Sequence, residues 1–122
     1  MPTQPRPLLV SDVVDRAVEV CDPTGDDPAC QELLLRFEDV DEPVTATAAL
    51  NARISEAAST IDPEGEDPAF LMTAAVSTYL AFRRQEFRHE PKQILRLAAR
   101  AEFEGRPPQH VADWLDARGV AL

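Results

Sequence analysis

Histidine and cysteine are scarce in this chain, two of each, and their placement removes several chemistries at once. Eight residues separate Cys21 from Cys30, which excludes the C-x-x-C spacing of redox and zinc motifs. His89-Glu90 opens like a zinc-protease motif but continues Pro91-Lys92-Gln93 with no second histidine. Pro91 also marks a helix start at the place where that motif needs a helix interior. Neither zinc nor heme ligation is indicated, and no cofactor is expected. Glycine is as sparse: Gly25, Gly65, Gly105 and Gly119 all mark turns or helix ends. That leaves no glycine loop to cradle a phosphate, and no G-x-S-x-G nucleophile elbow occurs.

Long apolar runs are missing as well. The most apolar stretch, residues 70–82, carries Thr73, Ser77, Thr78 and Tyr79, and it is shorter than the roughly 20 apolar residues that cross a bilayer. The first seven residues hold three prolines and no apolar core, which suits a short extended arm over residues 1–9 rather than a targeting signal. A cytoplasmic protein without membrane contact is the expectation.

Positive charge is the last shortage. Twelve basic residues face 22 acidic ones, a net charge of −10. The imbalance is local: residues 1–82 hold sixteen acids and four bases, and residues 83–122 hold six acids and eight bases. Such acidity disfavours non-specific nucleic-acid binding by the whole surface, because phosphate contacts need positive charge. It fits a basic partner, or a need for solubility in salt.

Proline, by contrast, is abundant, with eleven copies, and most of them punctuate segment boundaries. Four sit in a motif that occurs twice, Asp-Pro-x-Gly-[Asp/Glu]-Asp-Pro-Ala, at Asp22–Ala29 and again forty positions later at Asp62–Ala69. The residues ahead of it correspond too. Val10, Val14, Ala17, Val18 and Cys21 stand at the same offsets as Leu50, Ile54, Ala57, Ala58 and Ile61. The chain therefore reads as one helical hairpin written twice. Residues 10–42 form the first copy, residues 43–88 the second, and residues 89–122 a C-terminal helix pair. Together they make a single all-α domain, a bundle of about six helices with antiparallel hairpins.

The apolar residues recur at helical spacing throughout. Ser11 can cap a first helix bearing Val10, Val13, Val14, Ala17, Val18 and Cys21, which Pro23 stops. Asp27-Pro28 starts a second helix with Cys30, Leu33, Leu34 and Phe37 buried, since aspartate caps well and proline loses little at the first helical position. The second copy begins near Thr45. Asp67-Pro68 starts a fourth helix, which continues to about Phe87 and is apolar nearly all round in its first half, so it should be the central one. Glu90-Pro91 opens a fifth helix with Ile94, Leu95, Leu97, Ala98 and Ala101. Pro107-Pro108 opens a short sixth with Val111, Trp114 and Leu115.

Three constellations are candidates for function. The first is the pair of turns. Side-by-side hairpins would bring Asp22, Asp26 and Asp27 towards Asp62, Glu64, Glu66 and Asp67. Asp22, Asp26, Asp62, Glu64 and Glu66 are the candidate ligands for a divalent cation, although their spacing is not that of an EF-hand loop. The structural reading is stronger: Asp27, Pro28, Asp67 and Pro68 begin helices, Gly25 and Gly65 allow the reversals, and neighbouring acids favour the positive helix ends. The second constellation is a basic stripe. Lys92, Arg96 and Arg100 recur every four residues and share a helix face, a contact surface for an acidic partner or, less readily, a nucleic acid. The third is the cysteine pair. Cys21 aligns with Ile61 and Cys30 with Phe70, so both read as small buried hydrophobes facing each other across the turn, reduced although geometrically able to form a disulfide. His89 and His110 flank turns and are expected to be exposed.

Carboxylates are too common here for pairs of them to indicate acid–base catalysis. The sequence points to a non-enzymatic protein-interaction or regulatory module whose partner is another protein, or a second copy of itself as a homodimer. Asp26 and Glu66 on the turns, and Lys92, Arg96 and Arg100 on the stripe, are the candidate contact residues. A cation-binding helical protein and a nucleic-acid-contacting regulator are the alternatives.

Overall fold

The computed structural model describes residues 8–44 and 47–122. Among them the chain forms six α-helices and no strand: α1 Val10–Cys21, α2 Pro28–Phe37, α3 Thr47–Ile61, α4 Pro68–Phe82, α5 Pro91–Phe103 and α6 Gln109–Ala117. Thr45, the expected start of the second copy, and residues 1–7 of the expected arm lie outside the described residues. No helix among the described residues is long and apolar enough to cross a membrane.

The start of α1 departs from expectation. Leu9, not Ser11, is the capping residue, and its amide donates to Asp12 Oδ2 at 3.0 Å. The Val10 and Ser11 amides donate to the carbonyls of Glu42 (2.9 Å) and Val40 (3.1 Å), while Leu9 and Pro43 form an isolated antiparallel bridge. The linker after α2 lies across the beginning of α1 and supplies acceptors for its first two amides, so the helix begins ahead of Ser11. Ser11 is buried inside the first turn.

Helix α4 is central, as its composition indicates. It packs against each of the other five helices, and Phe70, Met72, Val76 and Leu80 are buried completely. Its two buried hydroxyls are satisfied within the helix: Thr73 Oγ1 donates to the Ala69 carbonyl (2.8 Å) and Ser77 Oγ to that of Thr73 (2.9 Å). Unpaired, each would cost about 1–3 kcal/mol. Val13, Val14 and Ala17 of α1, Leu33 of α2, Leu50 and Ile54 of α3, Ile94 and Ala98 of α5, and Val111 and Leu115 of α6 pack with them in the core. Each large aliphatic residue contributes roughly 1.5–3 kcal/mol on burial.

The fourth helix ends at Phe82, five residues short of the expected Phe87. Arg83 leaves the helical region, and a 3₁₀ turn follows at Arg84–Glu86. Side chains from elsewhere hold this exit. Arg84 Nη1 donates to the Val44 carbonyl (2.7 Å), and Arg16 of α1 donates to the carbonyls of Phe87 (3.1 Å) and His89 (2.8 Å). Cationic donors at these carbonyls make a continued helix less favourable than the bend.

Candidate functional site

Both copies of the Asp-Pro-x-Gly motif build the same turn. In the first, Asp22 accepts from the amides of Asp26 (3.0 Å) and Asp27 (3.1 Å), and in the second Asp62 accepts from those of Glu66 (3.1 Å) and Asp67 (3.1 Å). Gly25 and Gly65 donate to the carbonyls of Asp22 and Asp62, each at 3.1 Å, with φ of 74° and 63°. Glycine adopts that left-handed conformation without the penalty other residues meet. The next aspartate then starts the helix. Asp27 accepts from the Cys30 amide (3.0 Å), and Asp67 from those of Ala69 (3.1 Å) and Phe70 (3.4 Å), with Pro28 and Pro68 following as first helical residues.

The two turns are not equally protected. Asp22 is 8% exposed and takes a third hydrogen bond, from Gln31 Nε2 at 3.0 Å. Asp62 is half-buried and holds only its two amides. Thr24 bonds Asp26 at 2.8 Å in the first turn, where the second turn carries Glu64.

The turns lie at one end of the bundle. The carboxyl groups of Asp27 and Asp67 meet within hydrogen-bonding reach, joining the caps of α2 and α4. Burial, then the hydrogen bond and charge of Asp27, push Asp67 up to about 6. Burial acts in the same sense on Asp27, but hydrogen bonds from Asp67 and from the Cys30 and Ala29 amides outweigh it and hold this carboxyl below its ordinary value.

A cleft of about 470 Å³ opens beside this contact. Pro28, Ala29 and Ile61 give it apolar surface, and Glu32, Asp62, Glu66 and Asp67 give it carboxylates. Asp26, Glu64 and Glu66 are exposed. None of the ion pairs among the described residues involves an acid of either turn.

Of the candidate cation ligands, Asp22 and Asp62 are occupied by their own turns. Among the described residues, no three histidine, cysteine, aspartate or glutamate side chains form a group able to hold a metal ion.

Helix α6 connects the two turns, a placement with no signal in the local sequence. His110 Nε2, near its start, lies 2.9 Å from the Gly65 carbonyl. At its other end, Arg118 sits 3.7 Å over the Trp114 ring and lines a second cleft with Pro23, Thr24 and Lys92 against the first turn. The histidines are therefore half-buried, not exposed as expected. His110 is anchored to the second turn, and the carbonyl of His89 is held by Arg16. Packing of α6 across the bundle end decides the first, and the bend after α4 decides the second.

The basic stripe is solvent-exposed at Lys92, Arg96 and Arg100. Lys92 stands beside the first turn, so the stripe begins at the acidic end and runs away from it along α5. The cysteines are free, buried thiols. Cys30 Sγ lies 3.2 Å from Thr73 Oγ1, and Cys21 is in hydrogen-bonding reach of the same hydroxyl. Burial pushes Cys21 up to about 12 and Cys30 upward as well, against the opposing effect of the contact with Thr73.

No protein-family model matches this chain, and neither the curated proteins nor the solved structures yield a match.

Proposed function

We propose that the chain is a non-enzymatic protein-interaction module that takes a basic segment of a partner protein at its twin-turn end. The observation that carries this reading is the cleft between the turns, where apolar surface from Pro28, Ala29 and Ile61 meets carboxylates from both copies. A lysine or arginine suits such a cleft, because its stem covers apolar surface while its charged head reaches an acid. The turns are held by their own hydrogen bonds, so little ordering would accompany binding. Unpaired surface acids would speed encounter with a basic partner. Arg96 and Arg100, exposed on α5, offer a second surface for an acidic one.

The matched hydrogen bonds of residues 22–27 and 62–67 support reading residues 10–42 and 43–88 as two copies of one hairpin. Two buried, unpaired thiols suit a reducing compartment such as the cytoplasm.

The test is an NMR titration with a short peptide of alternating leucine and lysine, alongside the same peptide with glutamate in place of lysine. The basic peptide should move the amide signals of Gly65, Glu66 and Asp67, and added salt should weaken binding. Glu66→Gln should weaken it about three- to tenfold. Equal response to both peptides, or shifts confined to other parts of the bundle, would rule the reading out.

A further inference from the structure

Asp27 and Asp67 are in an unusual situation for two surface-facing acids. Each is fixed in place by the amides it caps, Cys30 for the first and Ala69 and Phe70 for the second. Neither can swing away from the other without releasing the first turn of its own helix. The contact is therefore imposed by the fold. It can exist as a carboxyl donating to a carboxylate, or as two anions held against each other.

Among the described residues no cation acts on either carboxyl group: Lys92 and Arg118 line the cleft that holds Asp22, and Arg36 pairs with Glu32. The groups around the pair are Asp22 behind the first turn, Cys30 and Glu32 on α2, Asp62 and Glu66 in the second turn, and His110, which reaches Gly65 from α6. Four are acids, and the Cys30 thiol, pushed up first by burial, stays protonated. His110 points its Nε2 at a backbone carbonyl, not at either carboxyl group. A proton is the available counter-charge for the pair.

We propose that one proton shared between Asp27 and Asp67 acts as a latch between the two turns, strengthening the seam in mild acid and leaving it weaker towards neutral pH. Loss of the proton leaves like charges facing each other across the seam between α2 and α4, beside the cleft that Asp67 lines. The latch is a property of the isolated chain and does not depend on whether the cleft takes a basic partner. Either idea can fail alone. The upward displacement of Asp67 to about 6 agrees with it. The sign of the linkage follows: between the ordinary carboxylate range and about pH 6 the folded state binds more protons than the unfolded state, so stability falls as pH rises through that window.

Carboxyl-carbon NMR of the full chain between about pH 3 and 8 tests this directly. Asp67 should titrate near 6 and Asp27 below its ordinary range, each signal also registering the other's step. Asp67→Asn gives an independent reading. Asparagine caps as well as aspartate and places a neutral amide donor against Asp27, imitating the protonated pair at every pH. Relative to the unaltered protein, its Tm should be higher by roughly 3 °C at neutral pH, with the difference lost in mild acid. If both aspartates titrate in the ordinary carboxylate range, the latch does not exist, whether or not the variant folds. If the Tm difference is the same at both pH values, the seam is insensitive to the proton, with the same consequence.

Discussion

Replacing Asp22 by alanine should destabilise the protein more than replacing Asp62, although the two occupy the same place in the same motif. Asp22 accepts from two backbone amides and from Gln31 Nε2 while almost fully buried. Asp62 accepts from two amides and is half-exposed. After removal of Asp62, water can reach the freed Glu66 and Asp67 amides and recover part of the loss, which points to about 1–2 kcal/mol. At Asp22 water has less access and one more donor is stranded, so about 2–3 kcal/mol is expected. The difference of about 1 kcal/mol should appear as a gap of roughly 0.5–1 M between the urea midpoints of the two variants, for a chain of this size. Far-UV circular dichroism is a sufficient probe, since loss of either turn is coupled to loss of the helices it joins. Equal midpoints, or a larger effect at Asp62, would show that burial of the first turn does not strengthen it and would refute the reasoning.

Phe70→Ala, at a fully buried position in the central helix, should cost about 3–5 kcal/mol, a large share of the ordinary stability of a domain and measurable by the same urea titration. Arg16→Met keeps the side-chain stem but removes donors to the Phe87 and His89 carbonyls; a loss of about 1–3 kcal/mol is expected, with faster amide exchange in residues 83–90 as its local signature. Cys21 and Cys30, buried and pushed upward in pKa, should be silent to a disulfide reagent at neutral pH in the folded protein. Both thiols should react once urea unfolds it, and rapid reaction of either in native buffer would contradict their placement.

Much of the helical framework is legible in the order of residues alone. Aspartate followed by proline marks the starts of α2 and α4, because a cap and the amides it satisfies lie within three residues of each other. The nearly all-round apolar first half of the fourth helix marks it as central for the same local reason. The burial of both cysteines follows from their alignment with Ile61 and Phe70, although Ile61 itself is only half-buried. The capping role of Asp27 and Asp67 is visible in the motif, but not that the two touch. The candidate cation ligands come from counting acids, a count that does not register that Asp22 and Asp62 spend their oxygen atoms on their own turns.

The departures from expectation share a cause. Ser11 as a cap, Phe87 as the end of α4 and exposed histidines are inferences from neighbours in sequence. Each is decided instead by a partner far along the chain: Val40 for Ser11, Arg16 for Phe87 and His89, and Gly65 for His110.

What the sequence alone determined is therefore local: six helices among the described residues, the breaks at the two turns, the turns themselves, and an acidic first part followed by a basic stripe. Those features depend on hydrogen bonds and side-chain periodicity spanning a few residues, which any chain with this order of amino acids must satisfy. What only the tertiary structure decided is which local pieces face one another. The laying of α6 from one turn to the other, the cleft between the turns, and the meeting of Asp27 with Asp67 depend on how whole helices settle around α4. That choice is made by the shape and volume of the entire core, and no short stretch of sequence contains it.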